Sequence, residues 1–226
     1  IEAVYDFRSV ADVIVSSLED EPASGWDYAG LLTSLAAHPE MSAEAFGATA
    51  VESYRVYFEN IYYPQNPYDI KRYTLSAIRT ANLDALAQAV DSLAGMLTAK
   101  IADPATAADT VTAIGSTRSG VQEIDEYIKP LVYVDLKDLD RLLNQGTNLS
   151  QLVAAATISE YHGAERPYAH GMSIVFFGLP DAKTWNTFDL NYKNYDSTMN
   201  TGNGGDFINM YQWDEFLAAY YAAAGL

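Results

Sequence analysis

Three short segments typical of β-strands, separated by helical stretches, constrain the fold of this chain most strongly. Residues 13–15 are β-branched, residues 73–78 alternate with a period of two, and residues 172–177 are almost entirely apolar. The first of these runs is typical of a strand buried on both faces. Strands that alternate with helices indicate an α/β fold built in layers, and 226 residues fit a single domain.

The helices follow from apolar residues spaced three and four apart. The clearest pattern joins Leu83, Leu86, Val90, Leu93 and Leu97 and predicts an amphipathic helix. The first ten or so residues also have helical spacing but no N-cap, so we expect that helix to begin upstream of Ile1. Residues 102–119 predict either a loop or a weakly packed helix. Further helices are predicted over residues 26–37, from Ser42 to a break at 62–67, after a strand end at 133–136, and over 149–158 and 213–224.

The composition excludes several kinds of partner. The chain has 30 acidic and 13 basic side chains, a formal net charge of −17. Such a charge repels a phosphate backbone, so we expect no nucleic-acid partner, and a cationic ligand fits better. Acidity is also a general aid to solubility. Because no apolar run reaches about 18 residues, we predict no membrane span and a soluble mature chain.

Few residues can carry nucleophilic or metal chemistry. The chain contains no cysteine, which excludes a disulfide, a thiolate metal site and a cysteine nucleophile within these residues. His38 suits a capping role at a helix end. His162 and His170 have no regular ligand spacing and are interpreted as loop histidines, the alternative being a metal site with Glu160 and Glu165.

A polar loop is predicted over residues 186–206. We expect no metal and no cofactor. The alternative is calcium bound by this loop, because its oxygen-bearing side chains suit calcium, although the loop lacks the regular spacing of an EF-hand. The side chains concerned are Asp189, Asp196, Asn200, Asn203 and Asp206.

The candidate substrate-binding site follows the first strand, where an acidic loop leads to a tryptophan. Serines at the strand end can leave backbone groups open to an extended peptide, and open α/β sheets bind ligands at the carboxyl ends of their strands. The alternative is a solvated turn between a strand and a helix. The candidate binding residues are Ser16, Ser17, Leu18, Glu19, Asp20, Ser24 and Trp26.

Residues 1–28 resemble the clostripain family of cysteine peptidases, bacterial enzymes with a caspase-like fold, at the stretch that follows their catalytic cysteine. Residues 73–86, 133–136, 171–174 and 213–217 resemble later family segments, in family order. The resemblance covers nearly the whole chain. It implies a layered caspase-like sheet with flanking helices.

The resemblance also implies an incomplete catalytic machinery. The family's catalytic His and Cys belong upstream of residue 1, so residues 1–226 correspond to the C-terminal part of one peptidase domain and contain no catalytic residue. The N-terminal half, as a separate processed chain, and a peptide or protein substrate are the implied partners. The implied function is the substrate-binding half of a secreted or cell-surface bacterial endopeptidase that requires the N-terminal half for activity.

Ser24 departs from the family pattern, because relatives that cleave after Arg or Lys carry an acidic residue at this place. A serine cannot neutralise a guanidinium, so Glu19, Asp20 or Glu21 would have to supply the charge, or the preference has changed. We favour cleavage after a basic residue. The alternative function is an inactive homologue that binds peptides or carbohydrate. Carbohydrate binding predicts an exposed row among the 17 tyrosines and 3 tryptophans, whereas the peptidase interpretation predicts that most of these rings are buried.

Overall fold

The computed structural model describes residues 1–124, 133–179, 182 and 206–226. Its strands form two antiparallel sheets of three strands each. The first sheet has the order β1-β2-β5 and consists of β1 (Val13–Ser16), β2 (Thr74–Arg79) and β5 (Thr157–His162). The second has the order β3-β4-β6 and consists of β3 (Glu123–Ile124), β4 (Tyr133–Asp135) and β6 (Ser173–Val175).

Helices cover both sheets and confirm the α/β layering. A π-helical turn, Phe58–Tyr62, lies between the third and fourth helices, and a 3₁₀ turn, Thr80–Asn82, precedes the fifth. The α-helices are α1 (Glu2–Asp6), α2 (Tyr28–Ala37), α3 (Ala43–Tyr57), α4 (Tyr63–Gln65), α5 (Leu83–Ala102), α6 (Ala107–Gly120), α7 (Leu136–Leu143), α8 (Leu149–Ala156), α9 (Asp206–Met210) and α10 (Trp213–Ala223).

Two hydrophobic clusters hold the layers together. The larger one contains the inner face of α5, with the predicted Leu86, Val90 and Leu93 all at most 1% exposed, together with β6 and α10. The smaller cluster is rich in aromatic rings and lies between α3 and the first sheet. Gly47 of α3 allows this close approach, because an added Cβ would lie 3.0 Å from Val13 and 3.1 Å from Ala77.

Several sequence predictions need correction. The first strand is half-buried along its whole length rather than buried on both faces. The opening helix ends at Asp6, and the third helix continues through a π-helical turn to Gln65, where Pro67 soon follows. The helix predicted over 149–158 ends at Ala156, after which the chain becomes β5, a strand that the sequence patterns missed.

Other predictions are confirmed. Ser42 caps α3, with its side chain accepting a hydrogen bond from the Ala45 N–H at 3.2 Å. The weakly patterned stretch after residue 102 contains α6, and the strand end at Tyr133 leads directly into α7.

Among the described helices, none is both long enough and apolar enough to cross a bilayer.

Candidate substrate-binding site

The candidate site begins where β1 ends. Ser16 pairs with Ser76 of β2, which is the only strand that pairs with β1 among the described residues. Beyond the pairing, the Ser17 and Thr74 hydroxyls lie 3.0 Å apart and the Leu18 N–H donates to Thr74 Oγ1 at 2.9 Å. Because the described sheets are antiparallel, the rule that ligands bind at the carboxyl ends of parallel strands does not apply to this site. Among the described residues, no second strand pairs with the other edge of β1, and the binding of a peptide there remains a prediction.

The three acidic residues of the loop have different surroundings. Glu19 is buried, and its carboxylate accepts a hydrogen bond from the guanidinium of the equally buried Arg166. Glu21 accepts hydrogen bonds from the Trp26 indole N–H at 3.2 Å and from the Tyr54 hydroxyl at 3.1 Å. Asp20 and Glu21 are both exposed. The loop therefore presents Asp20 and Glu21 to solvent while Glu19 is buried, and the Glu21 carboxylate is held by Trp26 and Tyr54.

A tight turn closes the loop. The Gly25 N–H donates to the Pro22 carbonyl at 2.8 Å, and Gly25 has a φ of +65°, a conformation that favours glycine. Ser24 lies exposed in this turn. The half-buried Trp26 stacks on Tyr28, with ring centroids 6.4 Å apart and planes 15° from parallel. The turn thus places a flat aromatic surface beside the acidic loop.

The first residue of the chain lies near the same strand end. The nitrogen of Ile1 donates to the Ser173 carbonyl at 2.5 Å. Two residues earlier, the Gly171 carbonyl accepts a hydrogen bond from the Ser76 hydroxyl at 2.9 Å, and that hydroxyl lies 3.3 Å from the Ser16 carbonyl. Since two residues span at most about 7 Å, these contacts place Ile1 within roughly 16 Å of Ser16.

A cluster of ionisable residues lies on the side of the first sheet that carries Thr74 and Ser76. Asp135, fully buried, accepts hydrogen bonds from the Asp138 N–H at 2.8 Å and the His170 N–H at 2.6 Å. Burial outweighs these donors and raises the pKa of Asp135 to about 7.

The rings of His162 and His170 lie 6.5 Å apart. A hydrogen bond to Glu160, at 2.9 Å, raises the pKa of His162, and burial lowers that of His170.

We expect the raised pKa of Asp135 to make stability depend on pH. Between about pH 4 and pH 7 the folded protein retains a proton that the unfolded chain releases, so the free energy of unfolding falls as the pH rises through this window. Asp135→Asn should flatten this part of the profile, and it should also lower stability because its NH₂ group cannot accept the second backbone hydrogen bond. Urea unfolding at several pH values measures both effects. Parallel profiles for wild type and variant would contradict the prediction, and the exposed Asp109→Asn should leave the profile unchanged.

The prediction that His162 and His170 are both loop residues is wrong for His162. His162 is the last residue of β5 rather than a loop residue, and the fold brings it next to His170. Within the described residues, no three His, Asp or Glu side chains are grouped closely enough to bind a metal ion. The calcium alternative falls on residues 189–203, outside the described part of the chain, and on Asp206, where only the start of α9 is described.

Sequence reasoning missed three residues that shape the candidate site. Arg166, Tyr54 and Thr74 come from distant segments and reach the loop only in the folded chain. Nothing in their local sequence marks them as partners of residues 17–21. Most of the described tyrosine and tryptophan rings are buried or half-buried, as predicted: Tyr54 and Trp213, for example, are 1% exposed.

Comparison with solved structures agrees with this architecture. The fold is similar to that of a B. fragilis cysteine protease, with a TM-score of 0.59 at 14% identity over 98% of this chain and 82% of that chain. It is also similar to a clostripain from Bacteroides thetaiotaomicron ATCC 29148 in complex with a peptide inhibitor, with a TM-score of 0.55 at 15% identity over 81% of this chain and 77% of that chain. An inactive zymogen C11 protease from Parabacteroides distasonis has a TM-score of 0.55 at 17% identity over 83% of this chain and 52% of that chain.

These likenesses define the class of fold as that of the caspase-like C11 proteases, as the family resemblance implied. The model of the clostripain family, peptidase C11, matches residues 1–219, and the chain therefore belongs to the clostripain family. This membership supports a peptidase function. The chain spans only about half the length of the zymogen that it resembles. No curated protein matches it.

Proposed function

We propose that this chain is the substrate-binding part of a secreted cysteine endopeptidase and that its catalytic His and Cys lie in a segment preceding residue 1. The observation that carries the proposal is the position of Ile1, hydrogen-bonded to Ser173 and within roughly 16 Å of the end of β1. This distance is compatible with a thiol, a few residues before Ile1, that reaches a peptide held at the edge of β1.

In this proposal the substrate backbone adds to the edge of β1 at Ser16, Ser17 and Leu18, so main-chain hydrogen bonds provide affinity while side-chain pockets provide selectivity. The thiolate attacks the peptide carbonyl, the amine leaves with a proton from the histidine, and water then hydrolyses the acyl enzyme. The edge of β1, which pairs only with β2 among the described residues, supports this binding mode.

We propose that cleavage follows basic residues and that Asp20 is the carboxylate that receives the basic side chain. Glu19 is buried and paired with Arg166. Asp20 and Glu21 are both exposed, but the Glu21 carboxylate already accepts hydrogen bonds from Trp26 and Tyr54. Trp26 and Tyr28 would pack against the aliphatic part of that side chain. The inhibitor bound to the similar B. thetaiotaomicron clostripain carries the peptide VLTK, which ends in lysine. A secreted location is proposed because another similar structure is described as a secreted C11 cysteine protease.

The test uses the protein expressed from its complete reading frame. We expect cleavage of peptides with Lys or Arg before the scissile bond, and Asp20→Ser should lower kcat/KM for these peptides by about 10- to 100-fold while changing a norleucine peptide by less than about threefold. Asp109→Ser makes the same charge change at an exposed residue of α6, which packs against α5, α7 and α10, and should leave both values unchanged.

Two results would overturn the proposal. The first is a reading frame that encodes no cysteine shortly before Ile1. The second is a pure full-length protein that binds peptides but cleaves none, which would instead support an inactive homologue. An equal loss of kcat/KM for lysine and norleucine peptides in Asp20→Ser would reject only the assignment of Asp20 as the specificity residue and would leave the peptidase proposal standing.

A further inference from the structure

The acidic loop is joined to a distant loop by a buried ion pair. The side chains of Glu19 and Arg166 are 1% and 4% exposed, and Arg166 Nε donates to Glu19 Oε1. The two residues are 147 positions apart in the sequence. A buried pair of charges contributes little net stability, because desolvation offsets much of the attraction, but it fixes the relative position of the segments that carry it.

The loop that carries Arg166 is fastened at both ends, to the segment before β2 at its start and to β2 at its end. At its start, the Gly163 N–H donates to the Tyr73 carbonyl at 3.0 Å and the Glu165 N–H to the Lys71 carbonyl at 2.8 Å. At its end, the Gly171 carbonyl accepts a hydrogen bond from the Ser76 hydroxyl at 2.9 Å. The guanidinium therefore extends from a support that is tied to β2 and the segment before it.

The loop that carries Glu19 is held in a different way on each side of that residue. Before it, the Glu19 N–H donates to Ser17 Oγ at 3.1 Å, and Ser17 Oγ contacts Thr74. After it, Asp20 is exposed, and the next anchored side chain is Glu21. The ion pair thus fixes the chain at the point where the strand edge ends and the exposed acid begins.

We propose that Arg166 is a positioning residue for substrate, which acts by holding Glu19 so that the Ser17–Leu18 edge and the Asp20 carboxylate keep their relative positions. This inference rests on the proposed function, because the Ser17–Leu18 segment that Arg166 helps to hold is the proposed substrate-binding edge. Arg166 itself is buried and does not contact the substrate. Its effect is therefore expected in substrate binding more than in the chemical step.

The test combines kinetics and hydrogen exchange on the full-length protein with Arg166→Met, Arg166→Lys and Glu19→Gln. Each variant should raise KM for a lysine peptide by about 10-fold or more, with a change in kcat of less than about threefold. Arg166→Lys keeps the charge and is the variant expected to fold best, but an ammonium lacks the fixed guanidinium geometry, so its KM should lie between those of wild type and Arg166→Met. The double variant Glu19→Gln/Arg166→Met should be no worse than the poorer single variant, since both remove the same interaction.

Hydrogen exchange tests the same inference without activity. The amides of residues 17–21 should exchange at least tenfold faster in Arg166→Lys, whereas those of α5 should be unchanged. The surface pair of Glu52 and Arg55 provides the control, because both side chains are about half exposed and Arg55→Met should alter neither KM nor exchange in the loop.

The outcomes separate the two proposals. If the wild-type protein cleaves peptides and the variants keep both KM and loop exchange, the positioning role is wrong and the proposed function stands. If the wild type cleaves no peptide but the amides of residues 17–21 exchange faster in the variants, the result supports the claim that Arg166 holds this loop, while the peptidase proposal fails. A fall in kcat without a change in KM would place the effect of Arg166 on the chemical step and overturn the inference.

Discussion

Trp213→Ala is expected to lower the free energy of unfolding by about 3–5 kcal/mol, the largest loss that we predict for a single substitution. Trp213 is 1% exposed and joins the start of α10 to the second sheet. Its indole N–H donates to the Val175 carbonyl at 2.7 Å, and its ring lies 4.9 Å from that of Phe216 and 6.1 Å from that of Phe176. Truncation leaves a cavity and an unpaired buried carbonyl, and both destabilise the folded state.

Urea unfolding monitored by circular dichroism measures this loss. Tyr68→Ala is the matched control, because it also truncates an aromatic ring to alanine, but at a residue that is 99% exposed. The control should change stability by less than about 0.5 kcal/mol. Equal losses in the two variants would show that the contacts of Trp213 do not carry the predicted stabilisation.

Gly163→Ala is expected to lower the free energy of unfolding by about 2–3 kcal/mol. An added Cβ would lie 2.2 Å from the carbonyl oxygen of Lys71 and 3.0 Å from the nitrogen of Arg72. These are backbone atoms, so the clash cannot be relieved by rotating a side chain. The loop must move away from the segment before β2 and lose the hydrogen bond between Gly163 and the Tyr73 carbonyl. Because this loop carries Arg166, KM for a lysine peptide should also rise.

Gly95→Ala is the matched control for this substitution. Gly95 lies within α5, and an added Cβ would meet no atom within 4 Å. Alanine also favours the helix, so this variant should be more stable than the wild type by roughly 0.5–1 kcal/mol. Thermal unfolding of both variants should therefore give shifts of opposite sign, and shifts of the same sign would contradict the prediction.

The sequence predicted elements that are specified by nearby residues. The leucines of α5 repeat at helical spacing, Ser42 caps α3, and Tyr133 precedes the start of α7, and each of these features is confirmed. Local patterns determine such elements because a helix needs only one apolar face and suitable ends. The family resemblance added the caspase-like fold, which the periodicities alone did not specify.

β5 shows where local patterns fail. Thr157 and Ile158 follow α8 without a proline or glycine to end it, so the helical interpretation continued to Ile158. In the structure the chain changes direction after Ala156 and pairs with β2, with Leu75 opposite Tyr161 and Thr74 opposite His162. The strand exists because β2 offers a pairing partner, and strand formation depends on such long-range partners more than helix formation does.

The sequence by itself determined that a strand, an acidic loop and a tryptophan follow one another, because these are facts of residue order. Only the tertiary structure decided the surroundings of each acid: Arg166, from a distant segment, pairs with the buried Glu19, and Tyr54 engages Glu21, which is exposed like Asp20. The physical reason is that the solvation and pairing of a carboxylate depend on which groups are brought next to it in space. Neighbours along the chain do not reveal those groups.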